Sequence, residues 1–315
     1  MSRGPTGAQG LTGNTGSTGP AGDTTQLVPY SGASSNVNLG VRTLSSGPLT
    51  ATGSFSLASN QFSYQEAGVY LHELTACKLL LPWHTSPATG AFELDLSGLS
   101  HTGTYAGTWA ATDQVNQGLT WTVSPNGTNC VVTMADSDDF SFGNAVTDTA
   151  FSVGGWVQVP SVVAEINIIG KWDATTGAEV REWTLDLTTT RAARLYMFDE
   201  SLNVQCFRTQ TTAPSIGWHH LVATYDPTLG ATGTAANGVT LYQDGLVTAS
   251  TATNNANYVA MENLSSLARI GANMGASALQ NLYTGDIGKL FITKETLSAA
   301  TIWRMYIETR GFYNL

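Results

Sequence analysis

The sequence predicts a mainly β chain in three parts: a short triple helix, a trimeric β-stem and a large β-sandwich. Three observations carry this. Glycine falls at every third position from Gly4 to Gly22. Short alternations of apolar and polar residues, broken by Gly and Ser, fill residues 25–75. From residue 76 onward, runs rich in aromatic and β-branched residues recur between Gly, Asn, Asp and Pro punctuation, the spacing of sandwich strands.

The first part is residues 1–24. Gly4, Gly7, Gly10, Gly13, Gly16, Gly19 and Gly22 form an uninterrupted period of three. A collagen-like triple helix demands that period, because three chains crowd at its axis and no side chain fits there. The rod would be roughly 60 Å long at about 3.1 Å per residue. Only Pro5 and Pro20 supply imino acids, so the segment needs a trimeric neighbour to hold three chains at high effective concentration. A homotrimer is expected.

The second part, residues 25–75, alternates with a period of two at Val37, Leu39 and Val41, and again at Phe55 and Leu57. Its apolar residues are too few for an independent core, so three copies are expected to share one. The stretch YSGASSNVNLGVRTLSS, Tyr30–Ser46, resembles a short motif of tailed-bacteriophage fibre proteins. It follows a collagen-like repeat directly, a pairing that such fibres use.

The third part is residues 76–315. Strands are expected at AFELDL, GLTWTV, NCVVTMA, FSVGGWVQV, INIIGKW, EWTLDLT, ARLYMFD, HHLVATYD, VTLYQDG, ARIGA and GDIGKLFIT. Asp244-Gly245 supplies the positive φ of a tight type I′ hairpin. One helix is expected in SAATIWRMYIETRG, with Ser298 as N-cap, Ile302, Met305 and Tyr306 on one face and Gly311 as its stop. On WHHLVATYD, alternation sends His219 and His220 to opposite faces, so the pair cannot grip one metal.

The order of phrases here resembles the laminin G-like, concanavalin A-like jelly roll. The phrases are DLSGLSHTGTYAG, VVTMADSDDFSFG, FSVGGWVQVP, IIGKWD, GWHHLVATYD, GVTLYQDGLV, LARIGAN and YTGDIGKLFITKETLSAATI. The family's Gly-rich phrase before the first strand is absent. The resemblance implies a rigid lectin-like head. Some members of the superfamily are glucanases, whose chemistry needs paired carboxylates. Glu93 and Asp95 are the nearest candidates, but Ser97 and Gly98 stand where a third acid is expected. No catalytic residue is therefore assigned, and the chain is expected not to be an enzyme. Carbohydrate recognition is expected at Trp172, Asp173, Tyr258 and Tyr283, read as loop residues with aromatic faces for sugar rings. Asp136, Asp138 and Asp139 are a candidate Ca²⁺ set; no other cofactor is expected.

Composition narrows the partners. The 315 residues carry a net charge of −10, with 11% charged and 42% hydrophobic. No basic stripe for nucleic acid is visible, and no run approaches a membrane span. Cys77, Cys130 and Cys206 are odd in number and far apart, which predicts buried free thiols rather than a disulfide framework. No apolar export segment follows Met1, Ser2 and Arg3. The expected role is a virion fibre of a bacteriophage, assembled in the bacterial cytoplasm and adhering weakly and multivalently to host-surface glycan. The alternatives are a bacterial surface adhesin and a glucanase-type enzyme.

Overall fold

A computed structural model describes residues 76–116, 120–161 and 164–315. The glycine repeat of residues 1–24 and the β-stem of residues 25–75 lie outside the described residues.

Two largely antiparallel sheets face one another. The first contains β1 (Cys77–Leu81), β4 (Gln114–Asn116), β5 (Trp121–Val123), β7 (Phe151–Val159), β12 (Gly217–Tyr225), β13 (Val239–Gln243), β14 (Leu246–Val247) and β19 (Ile287–Thr293). Its order is β14-β13-β12-β7-β19-β5-β4, with β1 also paired to β19. The second contains β2 (Phe92–Glu93), β3 (Gly103–Ala106), β6 (Val131–Met134), β8 (Ile166–Asp173), β9 (Val180–Leu187) and β10 (Ala193–Asp199). It is completed by β11 (Val204–Gln210), β15 (Ser250–Thr253), β16 (Ala268–Ile270), β17 (Asn273–Met274) and β18 (Leu279–Gln280). The order is β15-β11-β10-β9-β8-β16-β6-β3-β2.

The core lies between the sheets. Phe151, Val153, Val157 and Val159 of β7 meet Trp183, Leu185 and Leu187 of β9 there, with Leu195, Met197, Leu221 and Ala223. Phe142 and Phe151 stack at 4.1 Å and 3° beside Trp183. Gly155 sits where β7 passes β19 at φ 147°, and a Cβ there would collide with the Lys289 carbonyl. Its neighbours leave no room for a side chain.

Part of the outer face of the first sheet is buried as well. Helix α1 (Ala299–Thr309) packs Ile302 and Met305 on Val222, Tyr242 and Phe291. Ser298 caps it by accepting the Thr301 N–H at 3.1 Å. The helix does not stop at Gly311: it ends at Thr309, tightens into a 3-10 turn over Arg310–Tyr313, and the left-handed residue is Asn314 at φ 61°. That turn presses Tyr313 onto Trp156 of β7, rings 4.3 Å apart.

Two further expectations hold in the fold. Asp244 and Gly245 both have positive φ, 52° and 80°, and join β13 to β14 as a two-residue hairpin. Cys77, Cys130 and Cys206 are buried free thiols. AFELDL departs from its expected pattern, since only Phe92–Glu93 is strand, with Phe92 exposed and Glu93 fully buried. No helix among the described residues is long and apolar enough to cross a membrane.

Candidate functional site

The second sheet's outer face carries a band of aromatic rings, built by alternation and register. On β10, Ala193, Leu195 and Met197 belong to the core, so Arg194, Tyr196 and Phe198 face out. Register places Phe207 of β11 opposite Tyr196, and Asp186 of β9 opposite Arg194. The β8–β9 ladder shifts between Lys171 and Trp172, so that Lys171 lies opposite core-facing Trp183 while Trp172 lies opposite Arg181 on the outer face.

The rings touch one another. Tyr196 and Phe207 stack at 5.0 Å and 9°, and Trp172 meets Tyr196 and Phe198 edge-on at 5.5 and 5.3 Å. Phe198 is buried, while Trp172, Tyr196 and Phe207 are half-buried and reach solvent. Arg181 lies 3.9 Å from the Phe198 ring centre and Arg194 5.0 Å from that of Tyr196.

Both guanidinium groups are held by carboxylates. Arg181 donates to Glu200 at 2.8 and 2.6 Å. Arg194 donates to both oxygens of Asp186, at 3.0 and 2.8 Å, and to Glu165 at 3.0 Å. Burial pushes the Asp186 carboxyl up to about 6, against the pull of Arg194. Burial also pushes the Tyr196 phenol up to about 12. At neutral pH the face therefore presents neutral rings whose neighbouring cations are already paired. Such a surface can take the apolar face of a sugar ring on an aromatic edge or plane.

The expected binding residues divide. Trp172 belongs to this face, but as part of strand β8 rather than a loop. Asp173 follows it at the strand end, where burial raises its carboxyl but hydrogen bonds from Thr175 and Arg269 outweigh that and hold it below the usual range. Tyr258 and Tyr283 are corrected: they are 1% and 0% exposed, and show no ring face to solvent. Their hydroxyls donate to Asp148 at 2.9 Å and to the Gln158 carbonyl at 2.8 Å, so each is a core ring with a satisfied polar tip. Tyr196, Phe207, Arg181 and Arg194 escaped the sequence reading. The available signal was Tyr196 and Phe198 two apart in ARLYMFD, a strand with large apolar residues on both faces.

The acidic candidates are occupied by protein partners. Asp136 pairs with Lys171 at 2.8 Å, Asp138 accepts from Asn263 at 2.8 Å, and Asp139 pairs with Lys78 at 3.0 Å and with His101 at 2.9 Å. The three diverge, and no cluster of three or more potential metal ligands occurs among the described residues. Glu93 accepts from the His84 and Thr85 N–H groups at 2.8 and 2.9 Å and from Tyr105 at 3.2 Å. Asp95 accepts from Leu80, Ser97 and His101 N–H groups. Both carboxylates brace turns of backbone.

The two histidines do face opposite ways. His220 packs its ring on Trp156 under the helix, and burial lowers its imidazole to about 4. On the other face, His219 Nδ1 meets Asp244 at 2.8 Å, and its Nε2 lies 3.0 Å from the Ser215 hydroxyl. Nε2 also lies 3.1 Å from the Ser215 carbonyl oxygen.

This fold has known relatives. A laminin G family model, described as the concanavalin A-like lectin/glucanases superfamily, matches residues 126–303, more than half of the chain. The chain belongs to this superfamily. A search of curated proteins gives no match. Among solved structures it is similar to the binding domain of Paraclostridial mosquitocidal protein 1, at 14% identity and a TM-score of 0.52, over 75% of this chain and 52% of that one. It is also similar to the botulinum neurotoxin serotype G binding domain, at 16% identity and 0.49, over 73% and 50%. A third is domain 4 of AbnA, an extracellular arabinanase from Geobacillus stearothermophilus in complex with arabinotriose, at 15% and 0.47, over 73% and 98%. The chain thus spans about half the length of the two toxin binding domains. At such identities the likeness concerns the fold.

Proposed function

We propose that this superfamily member is a structural fibre subunit of a bacteriophage virion, a homotrimer whose sandwich heads adhere weakly to host-surface glycans. The observation that carries the adhesive part is the outer row of Trp172, Tyr196 and Phe207, half-open to solvent on a rigid sheet. The fibre part rests on the unbroken glycine period from Gly4 to Gly22 and the fibre-like phrase Tyr30–Ser46 behind it. Weak single sites become useful when three heads act together. Glu93 and Asp95 take no part in glycoside hydrolysis, since each is engaged by backbone N–H groups.

The test is whole-cell and glycan-array binding by the full chain, beside sedimentation of the same sample. A trimer that binds host cells and weakens about tenfold or more on Trp172→Ala supports the reading. A monomer at micromolar concentration removes the fibre, and cell binding indifferent to Trp172→Ala removes this face.

A second reading is favoured by one observation. Ser215, His219 and Asp244 stand in the order of nucleophile, base and orienting acid, at 3.0 and 2.8 Å. Ser215 is exposed. Under this reading the head would hydrolyse acyl esters. Labelling of Ser215 by a fluorophosphonate probe supports it, and an unlabelled Ser215 in folded protein dismisses it.

A further inference from the structure

Arg208 is a cation on the inward side of a strand. Across the ladder it stands opposite Leu195, a core residue, and its same-face neighbours along β11 are buried Cys206 and Gln210. The other strand arginines each hold a carboxylate: Arg181 holds Glu200, Arg194 holds Asp186, and Arg269 holds Asp173. Arg208 has no carboxylate partner among the described residues. Its Nε donates to the Ser250 hydroxyl at 2.7 Å and its Nη1 to the Ala236 carbonyl at 3.3 Å. Both partners are neutral, so the charge stays uncompensated in a place partly withdrawn from water, where an anion is favoured.

A groove of about 450 Å³ opens beside it, lined by residues of β11, β13, β14, β15 and their adjoining turns. Its lining includes Thr211, Asn237, Thr240, Thr248 and Ser250, with Val239, Val247 and Ala249 as its apolar part and no acidic residue. The volume is within the range of small-ligand sites. We infer that this groove binds a carboxylated sugar, with Arg208 taking the carboxylate. A planar guanidinium recognises that group bidentately. The hydroxyls and the Asn237 amide suit the ring hydroxyls of a polyol, and the chain's net charge of −10 favours a ligand of single negative charge over a polyanion. The site is separate from the aromatic row, since Phe207 faces out where Arg208 faces in. It deepens the adhesion reading, on which it rests for its biological sense, by naming a class of sugar.

The experiment is calorimetric titration of the full chain with glucuronic acid and with N-acetylneuraminic acid. The methyl esters of both, and glucose, serve as uncharged controls. At least one acid is expected to saturate, with its ester about tenfold weaker or worse. Arg208→Gln should lose about tenfold or more for that acid, and Arg208→Lys less, with thermal melting to show that both variants fold. Acid and ester binding alike, Arg208→Gln binding as wild type does, or no saturable binding of either acid would each overturn the inference. Whole-cell binding by the same variants separates the two claims. Cells bound equally by wild type and Arg208→Gln leave adhesion standing without this site. A titration that succeeds while no cell is bound leaves the site standing without adhesion.

Discussion

Asp244 accepts from His219 Nδ1 at 2.8 Å with one carboxylate oxygen and from the His220 N–H at 3.0 Å with the other. A turn residue of the β13–β14 hairpin is thereby tied to two successive residues of β12. Burial raises this carboxyl, but the His219 hydrogen bond and charge outweigh it and hold it below the ordinary range. A depressed folded pKa contributes stability above the unfolded value, near 4, and loses it as pH falls through the folded value. Asp244→Asn should therefore lower urea stability by about 1–3 kcal/mol at pH 7. The gap from wild type should shrink as pH falls below the unfolded value and through the folded one.

Asp148 has the opposite sign. It accepts from the Met261 N–H and from the hydroxyls of Tyr258 and Tyr225, in a site where burial pushes it up to about 6. A raised folded pKa means that the folded chain binds the extra proton between about pH 4 and 6, so this group's contribution falls as pH rises through that window. Asp148→Asn should remove roughly 2–3 kcal/mol of pH dependence across it. Unfolding at pH 4.5 and 7.5, compared with wild type, reads this directly.

Lys171 and Glu182 are both fully buried and lie 2.7 Å apart, with Asp136 on the lysine's open side at 2.8 Å. Burial pushes Glu182 up to about 7, against the lysine's attraction. Lys171→Met strands that carboxylate and should cost about 3–5 kcal/mol. Adding Glu182→Gln to it should recover most of the loss, a coupling that a double-mutant cycle in urea measures.

Gly155→Ala should abolish soluble expression of the head. Its Cβ would meet the Lys289 carbonyl from a positive φ, in the middle of the β7–β19 ladder. Exposed Gly177, which has open space around it at φ 78°, is the control: Gly177→Ala should cost only about 1 kcal/mol.

The sandwich was legible because its strands alternate and its turns carry their own chemistry, as at Asp244-Gly245. The binding face was harder to read. Trp172 was visible as an aromatic near a turn, yet its orientation depends on a ladder shift that no local pattern announces. Tyr258 and Tyr283 sit in segments with the polarity of loops, and only the distant partners Asp148 and Gln158 draw them inward. The AFELDL strand fell short of its expected length for the same reason. A strand of two residues with an exposed Phe92 and a buried acid is stable only because His84, Thr85 and Tyr105 converge on it. Arg208 faces inward because its register sets it opposite core residue Leu195, a pairing that no local pattern announces.

The pairing of β7 with β19 has a consequence for biosynthesis. The strand at the centre of the first sheet ends at Val159, but one of its two neighbours begins only at Ile287. The Trp83 indole waits longer still, since its acceptor is the Gly288 carbonyl, 205 residues on. At ribosomal speed the interval between β7 and β19 is on the order of ten seconds. Throughout it, Phe151–Val159 offers an apolar edge with nothing beside it, the kind of edge that recruits strands from other chains. Closure of the sheet is thus a late event in the chain's synthesis. Translation that stalls before Ile287 should yield aggregate rather than a smaller folded head.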